Sequence, residues 1–245
     1  MADRPSIRLY VEDDLGEGAA LGLSAPQAHY LKHVMRQQAG AEIALFNGRD
    51  GEWRGRIDGF GKGWCSVTVA AQTGPQHPEP DLWLVFAPIK RARIDFIAQK
   101  ATELGVSAIC PVFTRHTAVD RVNVDRLRAN AIEAAEQCDR LTVPDIHEPR
   151  RLDRALEDWP SDRQLMFCDE RGAPVATEVL AGGKPGPWAV LVGPEGGFSD
   201  DEASLLKSLK FTVPVGLGRR LLRADTAAIA ALSLWQATLG DWRGG

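Results

Sequence analysis

Ala189-Val190-Leu191-Val192-Gly193-Pro194-Glu195-Gly196-Gly197-Phe198 passes from an unbroken apolar run into a glycine-rich loop. A second passage of the same form follows: Thr212-Val213-Pro214-Val215, then Leu217-Gly218-Arg219-Arg220-Leu221-Leu222-Arg223-Ala224-Asp225-Thr226-Ala227. Each reads as a short strand, a tight loop and a helix. In an open α/β sheet, ligands bind at the carboxyl ends of the strands. Two such loops so close in sequence would line one pocket together. The plain alternative is a structural strand-to-helix turn, since glycine also ends strands and opens turns.

The first loop specifies its ligand further. Ser199 stands at a helix N-cap and Glu202 follows three residues later, which makes a capping box. Asp200 and Asp201 add negative charge to the same first turn. A phosphate cradle needs that helix end free for an anion, and here carboxylates occupy it. Neither G-x-x-x-x-G-K-[ST] nor G-x-G-x-x-G occurs in the chain. The pocket therefore suits a neutral or cationic nucleoside better than a nucleotide phosphate. S-adenosyl-L-methionine, a sulfonium attached to adenosine without phosphate, fits that description.

The 245 residues suffice for one large or two modest domains, and 44% hydrophobic with 25% charged residues is ordinary globular composition. No apolar stretch follows Met1-Ala2-Asp3-Arg4, so no secretory signal is expected, and no apolar run approaches a membrane span. Cys65, Cys110, Cys138 and Cys168 are scattered without a CxxC pair, which points to a reducing cytoplasm rather than a disulfide framework or zinc site. His29 and His33 share a helical i,i+4 spacing, but no third ligand lies near them, and no metal is expected. The net charge of −4 disfavours nucleic acid as a whole. Its distribution does not. Between residues 88 and 130 stand Lys90, Arg91, Arg93, Lys100, Arg115, Arg121, Arg126 and Arg128 against Asp95, Glu103, Asp120 and Asp125, and Arg219, Arg220 and Arg223 form a second cluster. Local basic patches, not the net sum, make phosphate contacts. For any one of these residues, a solvated ion-paired helix face is the simpler reading.

Thr73-Gly74-Pro75-Gln76-His77-Pro78-Glu79-Pro80 breaks the chain, because three prolines in eight residues continue neither helix nor sheet. The division expected is a small β-barrel over residues 1–73, a linker over 74–81 and a second domain over 82–245. Before the break, strands are predicted at 6–11, 42–46, 52–57 and 64–70, with one helix over 25–36. Asn47-Gly48 and Asp50-Gly51 mark a hairpin. After it, strands at 82–87, 106–110, 164–168, 189–192 and 211–215 alternate with helices at 94–104, 124–138, from 199 and over 224–239. Gly105 is placed to cap the first of these helices. That rhythm predicts an α/β fold, a mostly parallel sheet with helices on both faces.

These residues, taken jointly, resemble the SPOUT class of RNA methyltransferases and more narrowly its RsmE family, which methylates N3 of a uridine in bacterial 16S ribosomal RNA. The two glycine loops carry the resemblance, with His29-Tyr30-Leu31 and Val34-Met35-Arg36, Lys100 with Thr102-Glu103-Leu104-Gly105-Val106, and Glu133 with Glu136-Gln137-Cys138 and Arg140. It spans nearly the whole chain. The resemblance implies a knotted (trefoil) SPOUT α/β domain preceded by a small PUA-like β-barrel that binds RNA. It also implies a homodimer acting on 16S rRNA or the small ribosomal subunit. General topology rules would predict no knot. Three positions depart from the family pattern: Asp225 for the usual glutamate, Asp139 for a common glycine and Ala224 for a commoner threonine. Asp139 is a tolerable exchange, because aspartate accepts a left-handed backbone.

Carried onto this chain, the resemblance implies a cofactor site of Leu191, Gly193, Pro194, Glu195, Gly196, Gly197, Leu217, Gly218, Leu222, Arg223 and Thr226, with Asp169-Glu170 as a third wall. Methylation at N3 leaves charge on O2 and O4 of the base once its proton departs, and a fixed cation would stabilise it. Arg223 is the candidate, unless it only pairs with Asp225 or caps a helix. Glu195 is the candidate proton acceptor, unless it only holds its loop. Arg8, Lys32 and Arg36, then Lys90, Arg91 and Arg93, with Arg219 and Arg220, are the candidates for gripping RNA. A SPOUT enzyme with another target, a ribose 2′-hydroxyl or transfer RNA, and an RNA-binding module without catalysis remain the competing readings.

Overall fold

The structure, a computed structural model, describes residues 5–243 apart from the side chains of Arg91 and Ala92. The chain forms two units: Met1–Pro78 with Ala135–Val143, and Glu79–Ala134 with Pro144–Gly245. The first unit is thus discontinuous, whereas the proline-rich break predicts a contiguous one.

The first unit contains β1 (Arg8–Tyr10), β2 (Ala20–Leu23), α1 (Ala25–His29), β3 (Glu42–Phe46), β4 (Glu52–Gly61) and β5 (Trp64–Gly74). These strands form one sheet in the order β1-β3-β4-β5-β2, in which only β1 and β3 run parallel. Alternate residues fill its core: Ile7, Leu9 and Val11, then Leu21 and Leu23, Ile43 and Leu45, and Val67 and Val69. The predicted hairpin joins β3 to β4. Asn47 Oδ1 accepts from the Arg49 and Asp50 amides, and Asp50 Oδ2 accepts from Asn47 Nδ2 and the Leu15 amide. Those donors hold the Asp50 carboxyl below the usual carboxylate range, first the Leu15 amide and then Asn47. The turn's contribution is therefore complete at neutral pH and is lost as acid titrates that carboxylate. The helix expected over 25–36 is shorter than its pattern suggests. A π-helical turn, Tyr30–Val34, follows α1, and Arg36 takes φ +52°.

Arg8 explains why residues 135–143 belong to this unit. Its Nε donates to Glu52 Oε2 at 2.9 Å, Nη1 to Ala135 O at 2.8 Å and Nη2 to Arg140 O at 2.7 Å. Two of its acceptors, Ala135 and Glu136, are end carbonyls of a helix, groups that lack intrahelical partners. Phe46, Ala135 and Leu141 pack as a small core beside it. Asp139 does take the left-handed backbone, φ +64°. Arg8 is only 7% exposed. This removes it from the RNA-gripping set, because its guanidinium is engaged inside the protein.

The second unit contains β6 (Leu82–Phe86), α2 (Arg91–Glu103), β7 (Ala108–Phe113), most of α3 (Val124–Gln137), β8 (Asp145–Ile146), β9 (Arg150–Arg151) and α4 (Leu152–Glu157). It continues with β10 (Gln164–Cys168), α5 (Ala176–Ala181), β11 (Trp188–Val192), α6 (Asp200–Ser208), β12 (Thr212–Val215) and α7 (Ala224–Thr238). The sheet runs β12-β10-β11-β6-β7-β8, every pair parallel. Its central strands are apolar throughout because both faces are covered. Leu82, Leu84, Phe86, Met166 and Val190 face the core under α2, α5 and α7. Val85, Leu165, Phe167 and Leu191 face the opposite core with Leu156 of α4 and Leu206 of α6. Gly105 caps α2 at φ +77°, as predicted.

Arg8→Ala would remove the buried cation that Glu52 Oε2 and the carbonyls of Ala135 and Arg140 share. Urea unfolding of the full chain should show a loss of about 3–5 kcal/mol; a loss below about 1 kcal/mol would mean the Arg8 network is dispensable.

Candidate methyl-donor site at the ends of three strands

Because β12, β10 and β11 are adjacent and parallel, their carboxyl ends lie side by side. Cys168 registers with Val215, and Phe167 with Leu191. The three loops that leave them enclose a cavity of about 390 Å³, a size typical of small-ligand sites. From the first loop come Cys168, Asp169 and Glu170; from the second, Gly193, Pro194, Glu195 and Gly197; from the third, Leu217, Gly218, Arg220, Leu222 and Arg223. The two glycine loops therefore meet, and Asp169-Glu170 is the third wall.

Three of the expected cofactor residues stand off the cavity. Leu191 is fully buried, since strand alternation turns it into the core with Phe167 and Phe198. Gly196 is exposed and lies against the His116 ring. Thr226 is exposed on the first turn of α7, whereas Ala224 and Ala227, one turn apart, face the cavity. Those alanines, with Cys168 and Val192, are lining residues that the sequence reading missed. Their i,i+3 spacing was the available signal for the alanines.

The loop over 193–197 is held from several sides. Gly193 packs against Phe198 so closely that a Cβ there would come within 2.6 Å of the ring. Gly197 takes φ +69°, and its amide donates to Pro194 O at 2.9 Å. Arg93 Nη1 pairs with Glu195 Oε1, and Arg93 Nε lies 3.9 Å from Asp225 Oδ2. Arg93, expected on RNA, thus ties the loop to the start of α7. The shortened side chain of Asp225 still reaches it. Arg171 donates to Phe198 O and Asp200. The capping box is present, with Glu202 Oε2 accepting from the Ser199 amide at 2.9 Å and Ser199 Oγ from the Glu202 amide. The N-terminus of α6 is closed by its own carboxylates, as its sequence predicts.

Arg223 does not pair with Asp225, whose Oδ1 accepts from the Thr226 amide. Arg219, Arg220 and Arg223 are all exposed, and among the described residues none has an acidic partner within 4.0 Å. Lys90 is exposed at the N-cap of α2. In the first unit Lys32 and Arg36 are exposed, Lys32 with its Nζ 5.7 Å from the Phe60 ring. The side chain of Arg91 lies outside the described residues. His29 and His33 approach ring to ring, and no cluster of three metal-ligating residues occurs among the described residues. No described helix is long and apolar enough to cross a membrane.

Residues 76–236 match the family model of the RNA methyltransferase domain, and residues 23–68 match that of the RNA methyltransferase PUA domain. Ribosomal RNA small subunit methyltransferase E of Rickettsia conorii is 33% identical over 92% of this chain and 93% of its own length. The chain belongs to the small subunit methyltransferase E family. The member from Synechocystis is 30% identical over 95% of this chain and 78% of its own length. A methyltransferase of Legionella pneumophila, solved with S-adenosylmethionine bound, superposes with a TM-score of 0.88 at 31% identity, over 98% of this chain and all of that one. The methyltransferase E of Neisseria gonorrhoeae, also solved with S-adenosylmethionine, gives 0.88 at 27% identity over 96% of this chain and 99% of that one.

Within this methyltransferase E site, burial pushes the Cys168 thiol up to about 12, with the Glu170 charge adding to the effect, and burial likewise pushes Cys110 up to about 12. Both stay protonated at any ordinary pH, so Cys168 presents a neutral, weakly polar surface to the cavity. Ellman's reagent at pH 8 should leave both unmodified in the folded chain and titrate both in denaturant. Rapid native labelling of Cys168 would place the thiol in a more open cavity.

Proposed function

We propose that this protein transfers a methyl group from S-adenosyl-L-methionine to N3 of a uridine in 16S ribosomal RNA. In this reading it acts as a homodimer in the cytoplasm, with a trefoil-knotted second unit and a barrel-like RNA-binding first unit. The observation that carries the proposal is the cavity's charge pattern. Carboxylates stand in its walls, and arginines that meet no carboxylate among the described residues stand on its third loop.

The residues present fit the methyl donor. Leu217, Leu222, Ala224, Ala227 and the neutral Cys168 give apolar surface for an adenosine, and Glu170 gives negative charge for a cation. When bound, S-adenosylmethionine supplies an electrophilic methyl carbon. The chain's own residues then have two duties. The loops fix the position of the base relative to that carbon, an effect worth up to roughly 7–11 kcal/mol. Arg223, exposed and without an acidic partner, is suited to stabilising the charge left on O2 and O4 of the uridine. Glu195 is engaged by Arg93, which favours the loop-holding duty for it over that of proton acceptor. Arg219, Arg220 and Lys90 are suited to RNA phosphate, joined by Lys32 and Arg36 on the first unit.

Three measurements test this. Mass analysis of 16S nucleosides, after incubation of small subunits with protein and labelled donor, should find label in 3-methyluridine; label in a 2′-O-methylated nucleoside would replace the target. Arg223→Ala should lower turnover by about a hundredfold while leaving donor affinity within about threefold. Undiminished turnover would remove Arg223 from the chemistry. Gly197→Val should abolish donor binding, because a β-branched side chain resists φ +69° and the loop must leave its present path. Normal donor affinity in that variant would displace the pocket.

A further inference from the structure

His116 lies beyond the end of β7, outside the sheet, and was singled out by no feature of the sequence. Its Nδ1 stands 3.2 Å from Gly196 O and 3.1 Å from Gly197 O. Carbonyl oxygens only accept, so Nδ1 must carry the proton and donate to both. The peptide between Gly196 and Gly197 is consequently gripped at both ends. Its carbonyl faces His116, and its amide donates to Pro194 O at 2.9 Å. The next peptide is held by its carbonyl alone, through the same imidazole.

This hold falls where the chain has least stiffness of its own. Glycine populates left- and right-handed backbone about equally, so nothing in the residue type selects φ +69° at Gly197. The selection has to come from outside the loop. Arg93 grips only the side chain of Glu195, and Arg171 grips Phe198 O. Between them, His116 is the side chain that grips the glycine backbone itself. A Cβ at Gly196 would lie 3.3 Å from the His116 Cβ and 3.7 Å from its Cγ, so a side chain there would crowd the histidine.

We propose that His116 is a positioning residue of the methyl-donor loop. Its Nδ1–H sets the two glycine peptide planes, and Gly197, a wall of the cavity, is thereby ready for the donor. The inference rests on the function proposed above. It assigns His116 to donor affinity rather than to the transfer itself, and to a hydrogen bond from one specified ring nitrogen.

The test is calorimetric titration of S-adenosylmethionine into the full chain and its H116A, H116N and H116Q variants, with steady-state kinetics and ligand-free thermal unfolding beside it. An asparagine amide nitrogen occupies the place of Nδ1, whereas a glutamine amide reaches the place of Nε2. H116A should weaken donor binding about five- to tenfold, the scale of one well-made hydrogen bond. H116N should recover affinity to within about twofold of the parent, and H116Q should not. The loss should appear in KM for the donor rather than in kcat, and the three variants should unfold at similar temperatures. H116A binding as tightly as the parent would overturn the inference, as would H116N binding as weakly as H116A. Absence of binding heat from the parent chain itself would instead overturn the function on which the inference rests.

Discussion

Three parallel strands lying side by side, β12, β10 and β11, are the constraint on which the site depends. Parallel neighbours end on the same edge of a sheet, so the loops leaving them must emerge together. Their register cannot slip, because both faces of β10 and β11 are buried. A shift of one residue would exchange Met166 and Val190 for Leu165 and Leu191 between two cores already filled by different helices. Residues 168–170, 193–197 and 217–223, scattered over more than fifty positions, are thereby fixed around one cavity. The binding site follows from strand order, and the loops' own sequences decide only what it holds.

Arginine serves three distinct purposes here, and environment alone separates them. Arg8 is buried and fully hydrogen bonded, so its charge is an internal joint between β1, Glu52, the last turn of α3 and Arg140 just after it. Arg93 and Arg171 lie at the surface with carboxylate partners, and each also acts on the glycine loop. Arg219, Arg220 and Arg223 meet no carboxylate among the described residues. A cation already paired gains little from a second anion, whereas three adjacent unpaired guanidinium groups raise the local potential and attract phosphate or a developing enolate. The chain's net charge of −4 conceals this arrangement.

Much of this was legible in the sequence, for physical reasons that also set the limit. Long apolar runs bounded by glycine, as at 189–192, announce buried strands. The Ser199–Glu202 spacing announces a helix start, because capping is a local interaction. Gly105 was readable from backbone preference, and Asp139 once the resemblance supplied the glycine common at its place. The two-residue strands β8 and β9 and the six-residue helices α4 and α5 were not, since periodicity needs a longer window. Nor was the membership of residues 135–143, which depends on a contact between Arg8 and carbonyls 127 or more positions away. The misplacement of Leu191 has the same origin: the run is visible, but which face each residue meets is set by helices elsewhere in the chain. His116 carried no signal, because its partners are backbone carbonyls, which every residue has.

The glycine loop shows why the distant contacts matter. Close approach of a ligand to the backbone demands residues without side chains, as the packing of Gly193 on Phe198 and the open flank of Gly218 illustrate. The same choice makes the free loop floppy, since fixing each residue's backbone opposes binding by about 1–2 kcal/mol. A loop of this composition binds well only if that ordering is completed before the ligand arrives. Every element around it contributes to that end. Arg93 reaches in from α2, His116 from the segment after β7, Arg171 from the loop after β10, and the capping box closes the exit into α6. Backbone accessibility and backbone rigidity are incompatible within five residues of such sequence. The fold reconciles them by leaving the loop bare on its cavity side and holding it from outside with side chains drawn from three other parts of the chain.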